Sequence, residues 1–131
     1  PEEIVVLGGH IDSWDVGQGA HDDAGGCLAA WHAVKLIKIL GLQPRRTLRV
    51  VMWTNEENGG RGNKSYRNTH MTELDNHVVA IESDAGVFKP QGFGFSGSAE
   101  AMDIVSEIGQ LLNSIDADEI TEGGRAADVA P

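Results

Sequence analysis

Apolar and polar residues come in blocks along the chain, and the length of each block separates strands from helices. Ile4 to Gly9 (IVVLGG) is a short, continuous apolar run, which predicts a strand buried on both faces. Ala24 to Leu40 predicts a helix, because its polar residues His32, Lys35 and Lys38 recur every three positions and leave the rest apolar. Gly41 then supplies a C-terminal stop, with Pro44 shortly beyond. Thr47 to Thr54 (TLRVVMWT) is β-branched and apolar, hence a second strand. Gly62 to His70 predicts a helix that is polar on most sides, and Val78 to Ser83 (VVAIES) a third buried strand. Gly92 to Gly97 (GFGFSG) reads as a fourth strand with its phenylalanines on one face. Ala99 to Leu112 predicts an amphipathic helix with Ile104, Val105, Ile108, Leu111 and Leu112 on one stripe. Ile115 to Glu122 reads as a short edge strand.

Strands alternating with helices imply right-handed crossovers, and so an α/β fold: a three-layer sandwich with a mostly parallel central sheet flanked by helices. In such sheets a ligand binds in the crevice beyond the carboxyl ends of the strands. The residues just past each strand therefore matter most. After the first strand come His10 and Asp12, after the second Glu56 and Glu57 in NEENGG, and after the third Asp84 in ESDAG. Asp22 and Asp23 open the first helix, whose positive end favours carboxylates.

These groups gather along one edge of the sheet. Without a counter-ion, like charges about 4 Å apart at a protein surface repel by roughly 4 kcal/mol. Metal ions, two rather than one, are the simplest neutraliser. A donor set of imidazole and carboxylate without thiolate suits catalytic zinc. A carboxylate lying between two metals bridges them, and a further carboxylate that is not a ligand is needed as a base. Neighbouring extended residues point in opposite directions, so Glu56 and Glu57 are expected to divide those tasks, one on metal and one on water.

Composition narrows the partners. The chain has 131 residues, a net charge of −10 and a pI near 4.7, which argues against nucleic acid or an anionic membrane. No stretch is long and apolar enough to span a bilayer. One cysteine, Cys27, excludes an internal disulfide and a cysteine-rich zinc module, and its apolar helical setting predicts a buried thiol. There are no repeats or low-complexity linkers, so residues 1–131 read as one domain. The chain starts at Pro1 without a methionine and stops at Pro131 after GGRAADVA, like a piece of a longer protein.

The ordered set His10, Asp12, Asp22-Asp23 in GAHDDAGG, Glu56-Glu57 in WTNEENGG and Asp84 in IESDAG resembles the co-catalytic dizinc exopeptidases of the aminopeptidase and glutamate-carboxypeptidase type. The resemblance covers nearly the whole chain. It implies two zinc ions per complete site, with His10 and Asp84 on one, Glu57 on the other and Asp22 bridging both. Glu56 is then the general base, and Asp12 orients His10 through its other ring nitrogen. A non-proline cis peptide between Asp22 and Asp23 is also implied. So are a small peptide or dipeptide as substrate, a secreted or lysosomal setting and a homodimer. The family completes its second zinc with a histidine far downstream, which makes this chain a partial catalytic domain lacking its C-terminal portion. Many relatives carry Ser-Asp-His near the tail, whereas here Asp128 is followed by Val129.

Plainer roles stand beside these. Asp22 and Asp23 also suit helix capping, which is the preferred role for Asp23. Asp15 reads as a loop carboxylate, His21 as a non-ligand, His32 as solvated, and His70 and His77 as part of a polar connection. Trp14 and Trp31 read as packing residues, with the wall of a substrate cleft as the alternative for Trp14. Asn63-Lys64-Ser65 is a glycosylation sequon. Two other function classes remain open: a non-catalytic relative serving as a binding or dimerisation module, and an acyl-transfer enzyme of the glutaminyl-cyclase type. Retention of the whole carboxylate set speaks against the first, and the Glu56–Glu57 pair with a bridging Asp22 against the second.

Overall fold

In the computed structural model, which describes residues 1–124 and 127–130, the chain divides into two compact units. The larger contains residues 1–87 and the tail segment, and it holds three parallel strands in the order β2-β1-β3. These are β1 (Ile4–His10), β2 (Thr47–Trp53) and β3 (His77–Glu82), with helices α1 (Ala24–Ile39) and α2 (Arg61–Thr69) in the connections. The architecture is α/β, with parallel sheets flanked by helices, as the block pattern implies. His10 pairs with Trp53 and Gly8 with Glu82, so the carboxyl ends of all three strands lie at one edge.

α1 ends where the glycine stop predicts: Leu40 closes it and Gly41 takes a left-handed φ of 68°. Its first turn lies directly on β1. A side chain at Gly9 would strike the Asp23 carboxylate, and one at Gly26 would strike the Ser83 carbonyl, so only glycine permits this approach. Cys27 is buried, as expected. The core joins Ile4, Val6 and Trp53, with Val51, Tyr66 and Val129 packed against them. Burial on both faces holds best for β1, whose neighbours are strands on either side. β3 is half-exposed, with Val78 52% accessible, because it has a strand neighbour on one side alone.

A second cluster of side chains ties β2 to α2, the following 3-10 turn (Met71–Asn76) and the start of β3. Arg49 Nη1 donates to the Tyr66 hydroxyl at 2.8 Å and to Glu73 Oε1 at 2.7 Å. His77 Nδ1 donates to the Glu73 carbonyl at 3.0 Å, because a carbonyl only accepts. Nε2 of that ring is then an acceptor and takes the Tyr66 hydroxyl proton at 2.9 Å. His70 pairs with the same Glu73 carboxylate and packs on the Tyr66 ring with centroids 4.3 Å apart. The polar connection expected around His70 and His77 is thus an organised network.

The smaller unit, residues 88–125, pairs β4 (Gly92–Phe95) in parallel with β5 (Glu119–Glu122) across helix α3 (Ala99–Gln110). Ser98 caps α3 by accepting from Ala101 N at 3.2 Å. The expected apolar stripe of α3 divides. Gly109 is buried with Ile120 close against it, whereas Ile104, Ile108 and Leu111 are 60%, 51% and 79% exposed. Two of the other expected packing residues are also exposed: Trp14 at 60%, and Trp31 at 46% with Lys35 Nζ over its ring.

Candidate metal and catalytic site

The site begins with Asp23. One of its carboxylate oxygens accepts from Gly26 N at 3.0 Å and caps α1, and the other accepts from His10 N at 3.1 Å. A single buried side chain therefore joins the end of β1 to the start of α1, which is the capping role expected of it. Burial outweighs those two amides and lifts its pKa to about 6. The Asp22–Asp23 peptide is cis, as the resemblance implies.

His10 is 1% exposed and its ring orientation is fixed by its neighbours. Nδ1 lies 3.0 Å from the Asp12 backbone carbonyl, which only accepts, so Nδ1 carries a proton. Asp12 does orient the ring, but through its main chain, with its carboxylate at 3.6 Å. The Asp12 carboxylate instead accepts from Glu56 N at 3.2 Å and so ties the loops after β1 and β2 together. His10 Nε2 then faces carboxylates alone: Asp22 Oδ1 at 2.9 Å, Asp84 Oδ1 at 3.3 Å and Glu56 Oε2 at 3.9 Å. Burial pulls the pKa of His10 down, but Asp84, the Asp12 carbonyl, Asp23 and Glu56 overcome it and hold it at about 8. Burial likewise raises Asp84 and Glu56, against the pull of His10.

Donor atoms of His10, Asp22 and Asp84 lie within 4.8 Å of one another, a grouping that fits one metal ion. An imidazole with Nδ1–H engaged and Nε2 aimed between two carboxylates is a ligand already set in orientation. Glu57, the fourth expected ligand, lies outside that group, but its Oε1 is buried without a hydrogen-bond partner. An orphaned buried carboxylate oxygen is costly unless something else satisfies it, and a second cation would. The donor chemistry therefore fits zinc.

Contrary to the expected strand alternation, Glu56 and Glu57 are not extended. They open a turn in which Asn55 has a φ of 63° and Gly60 N donates to the Asn55 carbonyl at 2.7 Å. The turn, and not the pleat of a strand, separates the two carboxylates. A cleft of about 260 Å³ opens beside Glu56, lined by Gly59, Gly60, Asn63, Lys64 and Ala127. Asn63 is 6% exposed and its amide donates to the Ala127 carbonyl at 3.1 Å, so the sequon is engaged inside the fold rather than offered for glycosylation. His21 lies against Gly86, and His32 is exposed.

Glu82 and Asp128 were not singled out as site residues by the spacing, yet Asp128 is buried and Glu82 half-buried beside it. Glu82 Oε2 accepts from Asp128 N at 3.0 Å and Val129 N at 3.1 Å. For Glu82 the available signal was a carboxylate inside an otherwise apolar strand, two residues before Asp84, and for Asp128 the tail segment already noted.

Comparison with known proteins agrees with this geometry. Residues 1–126 match the model of peptidase family M28. The chain is 46% identical to human carboxypeptidase Q over 129 residues, 98% of this chain and 27% of that protein. It is 35% identical over 68 residues to leupeptin-inactivating enzyme 1 of Streptomyces exfoliatus, 52% of this chain and 16% of that enzyme. The crystal structure of a peptidase M28 precursor from Shewanella amazonensis superposes with a TM-score of 0.87 at 34% identity, over 98% of this chain and 29% of that one. The chain thus spans little more than a quarter of the carboxypeptidase Q sequences it matches.

Proposed function

Because this chain belongs to peptidase family M28, we propose that the protein carrying it is a zinc-dependent exopeptidase, of carboxypeptidase, dipeptidase or aminopeptidase type, that hydrolyses small peptides. The observation that carries this reading is the convergence of His10 Nε2, Asp22 and Asp84, with Glu56 Oε2 3.9 Å from the same nitrogen. His10 and Asp84 would hold one zinc, Glu57 would contribute to a second, and Asp22 would be a ligand shared by the two. Residues 1–131 form part of the catalytic domain. Bound zinc supplies a Lewis acid for the scissile carbonyl and acidifies water. Glu56 does the proton work: it takes a proton from the attacking water and returns it to the leaving amine. Its raised pKa suits both halves of that task. Asp12 keeps Glu56 in place through the Glu56 amide, and keeps His10 in place through its carbonyl. Asp23 fixes the backbone of both ligand-bearing segments and does not touch the substrate.

The setting is secreted or lysosomal, the substrate a small peptide or dipeptide, and the assembly a homodimer. Among the described residues no helix is long and apolar enough to cross a membrane. The test is hydrolysis of a panel of dipeptides and blocked peptides by the full-length protein, with Glu56→Gln beside the wild type. The reading expects cleavage of substrates with a free terminus, abolished in the variant while zinc is retained. Activity that survives Glu56→Gln would refute it.

A further inference from the structure

The cleft beside Glu56 has a wall to which the proposed hydrolysis gives no work. Among the described residues its lining carries a single cationic side chain, Lys64, from the first turn of α2. That ammonium donates to the Gly59 carbonyl at 2.8 Å, and no carboxylate of the described residues pairs with it. An ammonium has three donors, so two remain for a ligand. The helix end adds to the positive charge. Gly60, the N-cap of α2, lines the same cleft with a left-handed φ of 62° and brings no capping side chain to the helix. The neighbouring wall is polar and fixed. Asn63 is buried, its amide group donates to the Ala127 carbonyl, and its Oδ1 is an acceptor that the protein leaves without a partner. A lone cation thus stands in a cleft whose other charged group is the base, at the edge of a site otherwise crowded with carboxylates.

We propose that Lys64 is a specificity-determining residue, whose ammonium receives a carboxylate of the substrate in the cleft beside Glu56. The reaction dictates which part of the peptide lies there. Glu56 returns its proton to the leaving amine, so the residue beyond the scissile bond has to come up against Glu56. In a C-terminal residue the α-carboxylate is one carbon away from that amine nitrogen. A cation in the cleft that Glu56 lines is therefore placed to meet it. A carboxylate on the side chain of the same residue presents the same chemistry on a longer arm. Lysine suits the task as a point charge on a flexible stem, and the contact with the Gly59 carbonyl restricts its search. The ammonium of a free amino terminus is repelled by Lys64, so the cleft also discriminates against the wrong end of a peptide.

This role rests on the reading of the site as a peptidase with Glu56 as its base, and the experiment separates the two. The full-length wild type, Lys64→Ala, Lys64→Arg and Glu56→Gln are compared by kcat/KM on alanyl-alanine, its C-terminal amide and alanyl-glutamic acid α-amide, with zinc content and thermal stability measured alongside. The wild type is expected to prefer alanyl-alanine to its amide. Lys64→Ala should reduce that ratio by about 10- to 100-fold, chiefly through KM, because a charge-assisted hydrogen bond to bound substrate is lost. Lys64→Arg keeps the charge and should hold the ratio within about threefold of wild type. If Lys64→Ala lowers only the preference for the glutamic acid α-amide over alanyl-alanine amide, the carboxylate received is that of the side chain, and the role stands. Both ratios unchanged in Lys64→Ala, or an equal loss on all three substrates, overturns the role and leaves the base intact when Glu56→Gln is inactive. Activity that survives in Glu56→Gln refutes the base, while the Lys64 ratios still decide this role.

Discussion

Two groups of ionisable side chains occupy the larger unit, and they handle charge in opposite ways. Around Tyr66, every acceptor meets a donor: Arg49 neutralises Glu73, and His70 and His77 share its carboxylate and carbonyl with the tyrosine hydroxyl between them. At the carboxyl ends of the strands, Asp12, Asp22, Glu56 and Asp84 surround one imidazole with no lysine or arginine paired to any of them among the described residues. The first group is complete as protein and explains how α2 is fastened to the sheet. The second is unbalanced as protein, with a single imidazole facing four carboxylates. Nearness of a histidine to carboxylates does not by itself separate structure from chemistry; the balance of charge does.

The sharpest way to break that contrast is at the base. Glu56→Gln in the full-length protein should reduce peptide hydrolysis by about 10²- to 10⁴-fold in steady-state assays while leaving the zinc content unchanged. Next comes the core on which both groups stand. Trp53→Ala removes a buried indole packed against Ile4, Val6 and Tyr66, and should cost about 3–5 kcal/mol in denaturant unfolding.

The dependence on pH is a gentler probe of the uncompensated group. The pKa of Asp23 rises from 3.8 to about 6, that of Asp128 from 3.8 to about 7, and that of His10 from 6.5 to about 8. A pKa raised by folding means that the folded state holds its proton more tightly. Each group therefore favours the fold below its unfolded value and loses that contribution as pH climbs through its folded one. The metal-free chain should then melt at a higher temperature at pH 5 than at pH 8, which thermal scans would show. Zinc binds the deprotonated ligands and should reverse the order. A metal-free chain more stable at pH 8 would contradict the account. Smallest of all, Tyr66→Phe removes one hydroxyl from the balanced group and should cost about 1 kcal/mol in chemical denaturation, with zinc affinity untouched.

Much of this was legible in the order of residues. Periodicity located the strands and helices to within a residue or two, since continuous apolar runs and a glycine stop are local signals, except for the last strand, expected from Ile115 but formed only from Glu119. His10, Asp22 and Asp84 were legible because the ends of parallel strands share an edge, whichever residues fill the strands. Less visible was anything decided by contacts far apart in sequence. Asp12 orients His10 with a carbonyl, which no side-chain pattern encodes. Glu56 and Glu57 sit in a turn because Asn55 accepts a left-handed φ, a choice made by the loop and not by the strand before it. The Arg49–Glu73 contact joins residues 24 apart, and Glu82 meets Val129 across 47 positions. The α3 stripe misled because periodicity reports an apolar face without reporting what covers it.

The most direct measurement is the zinc retained by the full-length protein after dialysis, by elemental analysis, for the wild type, Asp22→Ala and Tyr66→Phe. The account predicts about two equivalents in the wild type and in Tyr66→Phe, and loss of zinc in Asp22→Ala. A protein that circular dichroism shows to be folded but that keeps no zinc, or an Asp22→Ala variant that keeps as much as the wild type, would contradict it.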